Sequence, residues 1–119
     1  MGRVDSRNTV GFLIVLSGRR HGDVIRIVGP SMLIGRSPDC DIPFPDETGV
    51  SRRHAKLEVL EESCRLIDVG STGGLFVNNK RVGEKILEEG DVFMLGSGCY
   101  VKFTREVVAP AGDRVLLDS

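Results

Sequence analysis

The chain has 119 residues, 40% of them hydrophobic and 28% charged, with a net charge of −1. That fits one soluble globular domain of ordinary size and excludes an intrinsically disordered chain. It also gives no global basic field, so nucleic-acid binding is not expected and any anion site has to be local.

Residues 1–11 read as an N-terminal tail. Phe12 to Leu16 is the longest apolar run, far too short to span a bilayer, and no signal-peptide pattern surrounds it. It reads as a buried strand, and Val24 to Val28 as its hairpin partner. Gly29-Pro30 breaks the chain before Met32-Leu33-Ile34, and Ser37-Pro38-Asp39 turns it into Cys40-Asp41-Ile42. Pro43 to Arg53 is a loop. Ala55, Leu57 and Val59 then alternate with Lys56 and Glu58, the period of a half-buried strand. Cys64 to Asp68, Leu75 to Val77, Lys80 to Val82, Lys85 to Leu87, Val92 to Leu95 and Cys99 to Thr104 follow, each bounded by turn residues. No window carries a sustained helical period. The expected fold is all-β, an antiparallel sandwich of about eleven strands over residues 12–104. Ala109-Pro110-Ala111-Gly112 marks residues 105–119 as a C-terminal tail or linker, with Val115-Leu116-Leu117 expected either to cap an edge or to begin a further domain.

Three loops at strand ends share one chemistry. Gly35-Arg36-Ser37 and Gly49-Val50-Ser51-Arg52-Arg53-His54 supply guanidinium groups, a hydroxyl and an imidazole. Gly70-Ser71-Thr72-Gly73-Gly74 supplies hydroxyls and accessible backbone N–H groups. A phosphomonoester needs such charge-assisted donors from several directions. The planar fork of Arg bonds two oxygens at once, and glycine lets the backbone approach. Any one of these loops alone reads as a solvated turn; the three together point to a phosphate site.

Other chemistries fit less well. Ser51 and His54 have the residue types of a nucleophile and a base, but no nucleophile elbow or following helix pattern accompanies them. The glycine loop lacks the Lys-Ser/Thr of a P-loop. Two histidines and three scattered cysteines, without a C-x-x-C pair, give no expected metal site or cofactor. The thiols read as reduced and mostly buried, which suits a cytoplasmic protein.

At these residues the sequence resembles the forkhead-associated (FHA) domain family, which binds phosphothreonine peptides. Ile34 to Ile42 resembles the family's first block, Val50 to Ala55 its S-x-x-H block, and Asp68 to Asn78 the block written D-x-G-S-T-N-G-T-x-V-N. The resemblance covers roughly residues 12–104 and implies an eleven-stranded sandwich. It implies that Arg36 grips the phosphate, that Ser51 hydrogen-bonds it, that Arg52 also touches it and that Thr72 lies close by. Gly35, His54 and Asn78 take structural parts. The implied function is recognition of a phosphothreonine-containing protein or peptide downstream of a Ser/Thr kinase, without catalysis, nucleic acid or membrane.

One departure stands out. Gly73 occupies the position of the family's asparagine, which holds the peptide backbone, and Leu75 replaces the second threonine of that block. Loss of one such hydrogen bond costs roughly 0.5–1.5 kcal/mol. The alternative reading is therefore a phosphate-independent interaction domain of the same fold. Two further expectations attach to Gly73: that Asn there restores the clamp, and that a positive φ is a competing reason for the glycine. Self-binding through the tail residues Ser6 or Thr9 is not expected, because Thr9 adjoins the first strand.

Overall fold

The computed structural model describes residues 10–106. Eleven strands form two sheets, with no helix among the described residues. They are β1 (Phe12–Val15), β2 (Val24–Arg26), β3 (Ser31–Gly35), β4 (Ile42–Pro43), β5 (Ala55–Val59), β6 (Cys64–Asp68), β7 (Leu75–Val77), β8 (Lys80–Arg81), β9 (Glu84–Ile86), β10 (Val92–Leu95) and β11 (Cys99–Thr104). One sheet has the order β2-β1-β11-β10-β7-β8, the other β4-β3-β5-β6-β9.

The sequence alternation decides which side chains meet. Leu13, Val15, Leu75, Phe93, Leu95, Val101 and Phe103 point inward from the first sheet. Ile34, Ala55, Leu57, Cys64 and Leu66 face them from the second, and all belong to one apolar cluster. Each such Leu, Ile or Phe contributes roughly 1.5–3 kcal/mol when fully buried.

The pairings are antiparallel with one exception: β4 lies parallel to β3, with Ile34 opposite Ile42. The short turn after Gly35 doubles back, and the Asp41 carboxylate accepts the edge N–H of Leu33 at 2.7 Å. This strand begins at Ile42, two residues later than the alternation suggested. Cys40 instead lies in the turn, where its N–H bonds the Ser37 carbonyl.

Because neighbouring strands reverse direction, alternate loops gather at opposite ends. The β3–β4, β4–β5, β6–β7 and β10–β11 loops share one end with the β1–β2 loop. The other end carries tight turns. There Asn78 and Asn79 have φ of 50° and 72° and connect β7 to β8 as a two-residue hairpin. Both residues sit in the left-handed region that suits the strand twist and that Asn tolerates.

The tail assignments for 1–9 and 107–119, including Ser6, Thr9 and the proposed cap Val115 to Leu117, lie outside the described residues. Their inner neighbours are docked. Val10 packs against the core, and Arg105 donates its N–H to Glu89 at 2.7 Å.

Candidate functional site

The site is built from two loops clipped together by one buried imidazole. His54 has no solvent exposure. Its Nδ1 accepts the Ser51 backbone N–H at 3.0 Å, which leaves the proton on Nε2 to be donated to the Gly74 carbonyl at 2.7 Å. Its own backbone N–H bonds Ile34 and its carbonyl accepts from Val69. One side chain thus ties the serine loop to the glycine loop from beneath. Both ring nitrogens are occupied and neither reaches the Ser51 hydroxyl, so the ring is not placed to act as a base toward Ser51.

Above it, Ser51 Oγ accepts the Thr72 N–H at 3.0 Å. With Oγ acting as acceptor there, its own proton remains available for donation. Arg36 runs alongside: its backbone N–H bonds the Ser51 carbonyl at 2.9 Å, and its Nε donates to the Val50 carbonyl at 3.0 Å. Nε is held, which restricts the plane of the guanidinium, and among the described residues no hydrogen bond occupies its terminal nitrogens. Among the described residues no carboxylate lies within ion-pair distance of Arg36, Arg52 or Arg53. Cations left without acidic neighbours favour an external anion.

Gly35 is required by close approach. A Cβ there would overlap the Arg52 carbonyl. That carbonyl also accepts from Ser37 N–H at 3.2 Å and Cys40 Sγ at 3.3 Å. The Arg52 backbone therefore holds the β3–β4 turn, and its side chain is exposed. Thr72 and Gly73 are exposed at the rim. Arg36, Ser51, Arg52, Thr72 and Gly73 thus share one end of the sandwich. Asn78 does not: it sits at the far end, where its Nδ2 bonds Asp91 at 2.9 Å and its Oδ1 accepts the Val92 N–H at 3.0 Å.

Gly73 carries no positive φ; that conformation belongs to Gly74, at +93°. The constraint on Gly73 is spatial. A Cβ would lie 2.9 Å from Gly96 Cα, and one on Gly96 would overlap the Gly49 carbonyl. Gly49, Gly73 and Gly96 thus meet at one junction, where a Cβ on Gly49 would in turn crowd the Ser97 hydroxyl.

The residue reading missed Asp68 and Ser71 as site supports. Asp68 Oδ1 accepts the N–H groups of Gly70 and Ser71 at 3.0 and 2.8 Å. Its Oδ2 takes the Ser71 hydroxyl at 3.1 Å, and Ser71 Oγ accepts the Gly74 N–H at 2.9 Å. The signal was present in Asp68-x-Gly-Ser, the composition of an Asx turn. Burial pushes the Cys64 and Cys99 thiols up to about 11 and about 12, so neither is a thiolate near neutral pH. Among the described residues no cluster of His, Cys, Asp or Glu has the arrangement of a metal site, and no helix is long and apolar enough to cross a membrane.

Comparison with known proteins places this architecture. The FHA domain family model matches residues 32–96, and the chain belongs to that family. An oxoglutarate dehydrogenase inhibitor from Corynebacterium efficiens is 36% identical over 84 residues, which cover 71% of this chain and 58% of the relative. The glycogen accumulation regulator GarA of Mycolicibacterium smegmatis is 37% identical over 84 residues, covering 71% of this chain and 52% of the relative. The match therefore spans little more than half of either relative. Among solved structures, the FhaA FHA domain complexed with the intracellular domain of Rv3910 superposes with a TM-score of 0.70 at 35% identity. It covers 78% of this chain and 98% of that one. A structure from a study of phosphothreonine-dependent FHA domain interactions gives 0.73 at 34% identity, covering 82% of this chain and 97% of that chain.

Proposed function

We propose that this domain is a non-catalytic reader of phosphothreonine in partner proteins, acting in the cytoplasm downstream of a Ser/Thr kinase. The observation that carries the reading is the convergence of Arg36, the Ser51 hydroxyl and the Thr72 loop, with no ion pair to Arg36 or Arg52 among the described residues. Arg36 supplies two charge-assisted donors to the phosphate, Ser51 one neutral donor, and Arg52 the outer charge. Relatives of the same fold, studied in phosphothreonine-dependent interactions, support the same reading. Residues 12–104 form the binding unit, with Val10, Gly11 and Arg105 docked against its ends.

The test is a calorimetric titration with a phosphothreonine peptide library and its unphosphorylated twin. Binding of the first alone is expected, weakening as pH drops below about 6, where the phosphate dianion is lost. Equal binding of both twins establishes the second reading, a phosphate-independent interaction domain, which Gly73 favours by lacking a side chain to hold the peptide backbone.

A further inference from the structure

The outer face of the six-stranded sheet is unlike a solvated strand surface. Register places Tyr100, Met94 and Phe76 in one cross-strand row, with Arg81 next after Phe76. Leu16 extends the row at its other end, its N–H bonded to the Tyr100 carbonyl at 2.8 Å. Leu16 and Tyr100 are 37% and 40% exposed and adjoin the half-buried Met94 and Phe76, so the row is a contiguous apolar patch rather than single exposed residues.

This row floors a groove. One concavity is lined by Gly49, Gly73, Gly96 and Ser97 at the phosphate end and by Phe76, Met94 and Tyr100 further on. A second shares those three side chains and ends at Asn78, Asn79 and Val92. At its loop end the groove is walled by Gly49 and Gly73, each in the same loop as Ser51 or Thr72. Its apolar floor has a basic border. The Arg81 guanidinium lies 5.8 Å from the Phe76 ring centroid, and Lys102 stands opposite Val92. Register and burial put no Asp or Glu on the outward positions of this sheet's strands.

From this geometry we infer that the groove holds an apolar, acid-flanked stretch of the same polypeptide that carries the phosphothreonine. The inference rests on the phosphate-reading function and adds a second contact to it. Continuity with the phosphate loops and charge complementarity select this occupant. About six residues of extended peptide, roughly 20 Å, reach along the groove. The domain lacks the asparagine side chain that would hold the peptide near the phosphate, and the groove supplies affinity further along.

The experiment uses an oriented peptide library with phosphothreonine fixed and about six randomised positions on each side. The parent is expected to enrich Phe, Leu or Met next to Asp or Glu on one side. The double variant Met94→Thr/Tyr100→Thr should lose that enrichment and bind the best sequence about tenfold more weakly. It should still prefer the phosphorylated twin and keep its melting temperature, since both side chains are partly exposed. Arg81→Gln should remove the acidic preference alone. A parent that binds phosphopeptides without apolar enrichment, or a double variant that retains it, overturns the groove while the phosphate reading stands. A folded parent that binds no phosphopeptide sinks both. Sedimentation that shows a dimer in the parent, dissociated in the double variant, assigns the face to a second copy and overturns the inference.

Discussion

Each end of the sandwich is organised by a buried polar hub, His54 at one and Asp91 at the other, and the hubs do different work. At the loop end His54 joins two long loops, bonding the Ser51 N–H and the Gly74 carbonyl. At the turn end Asp91 accepts from Asn78, Lys85 and the Glu88 N–H, all at 2.9 Å. A buried polar group is tolerated only when its partners are supplied, and both hubs meet that condition. Asp91 closes turns whose partners lie within fifteen residues of it in the chain. His54 spans segments that carry the proposed phosphate donors Ser51 and Thr72. Stability is expected to depend on both ends and phosphopeptide binding on one.

The largest expected effect breaks this comparison at the ligand side alone. Arg36→Ala should cost about 2–5 kcal/mol of phosphopeptide binding, as truncation of a charged partner does, with little change in melting temperature. A folded Arg36→Ala protein that binds at near-parental affinity removes Arg36 from the site. Next, His54→Ala orphans a buried N–H and a buried carbonyl, at about 1–3 kcal/mol each. Thermal denaturation should show the loss, and titration should show weaker binding as the loops part. Ser51→Ala should lower binding with a much smaller change in melting temperature. An unchanged melting temperature for His54→Ala would refute its bracing role.

Asp91 sharpens the contrast from the other end. Burial raises its pKa, but hydrogen bonds from the Glu88 N–H, Lys85 and Asn78 outweigh that and hold it below the ordinary value of 3.8. A carboxyl lowered in the folded state stabilises the protein above its ordinary value and loses that contribution as pH falls through the lowered one. Asp91→Asn should therefore reduce the melting temperature at neutral pH, by about 1–3 kcal/mol of stability. The gap from the parent should narrow below about pH 4, with phosphopeptide affinity at neutral pH unchanged. A gap that stays constant into acid would show that the Asp91 charge is not the source of the stability.

The smallest effect concerns Gly73. Sequence comparison alone favours a gain from Gly73→Asn through a restored clamp. The Cβ position, 2.9 Å from Gly96 Cα, instead requires two loops to separate. The expected outcome is a loss of about 1 kcal/mol of stability and no gain in phosphopeptide affinity. Tighter binding with an unchanged melting temperature would restore the clamp reading.

The strands were legible because their pattern is local. Leu57 and Lys56 differ in burial for the same reason they alternate in the chain: successive side chains leave opposite faces of a pleated strand. The hairpin at Asn78 and Asn79 was legible from residue type, since few residues accept left-handed geometry cheaply. Arg36, Ser51 and Thr72 are legible as loop donors from residue type alone, because phosphate chemistry restricts the useful side chains.

What the sequence did not contain was distance between segments. That β4 returns parallel to β3 depends on how the 36–41 turn doubles back. The Asp41 bond to Leu33 fixes it only once both are in place. That a Cβ on the exposed Gly73 would run into Gly96 depends on the packing of two loops more than twenty residues apart. Phe76, Met94 and Tyr100 looked like ordinary strand residues until antiparallel register set them in one row. Local composition chose the strands, turns and donors; tertiary packing chose their neighbours, because contacts between distant segments exist only after the chain has closed on itself.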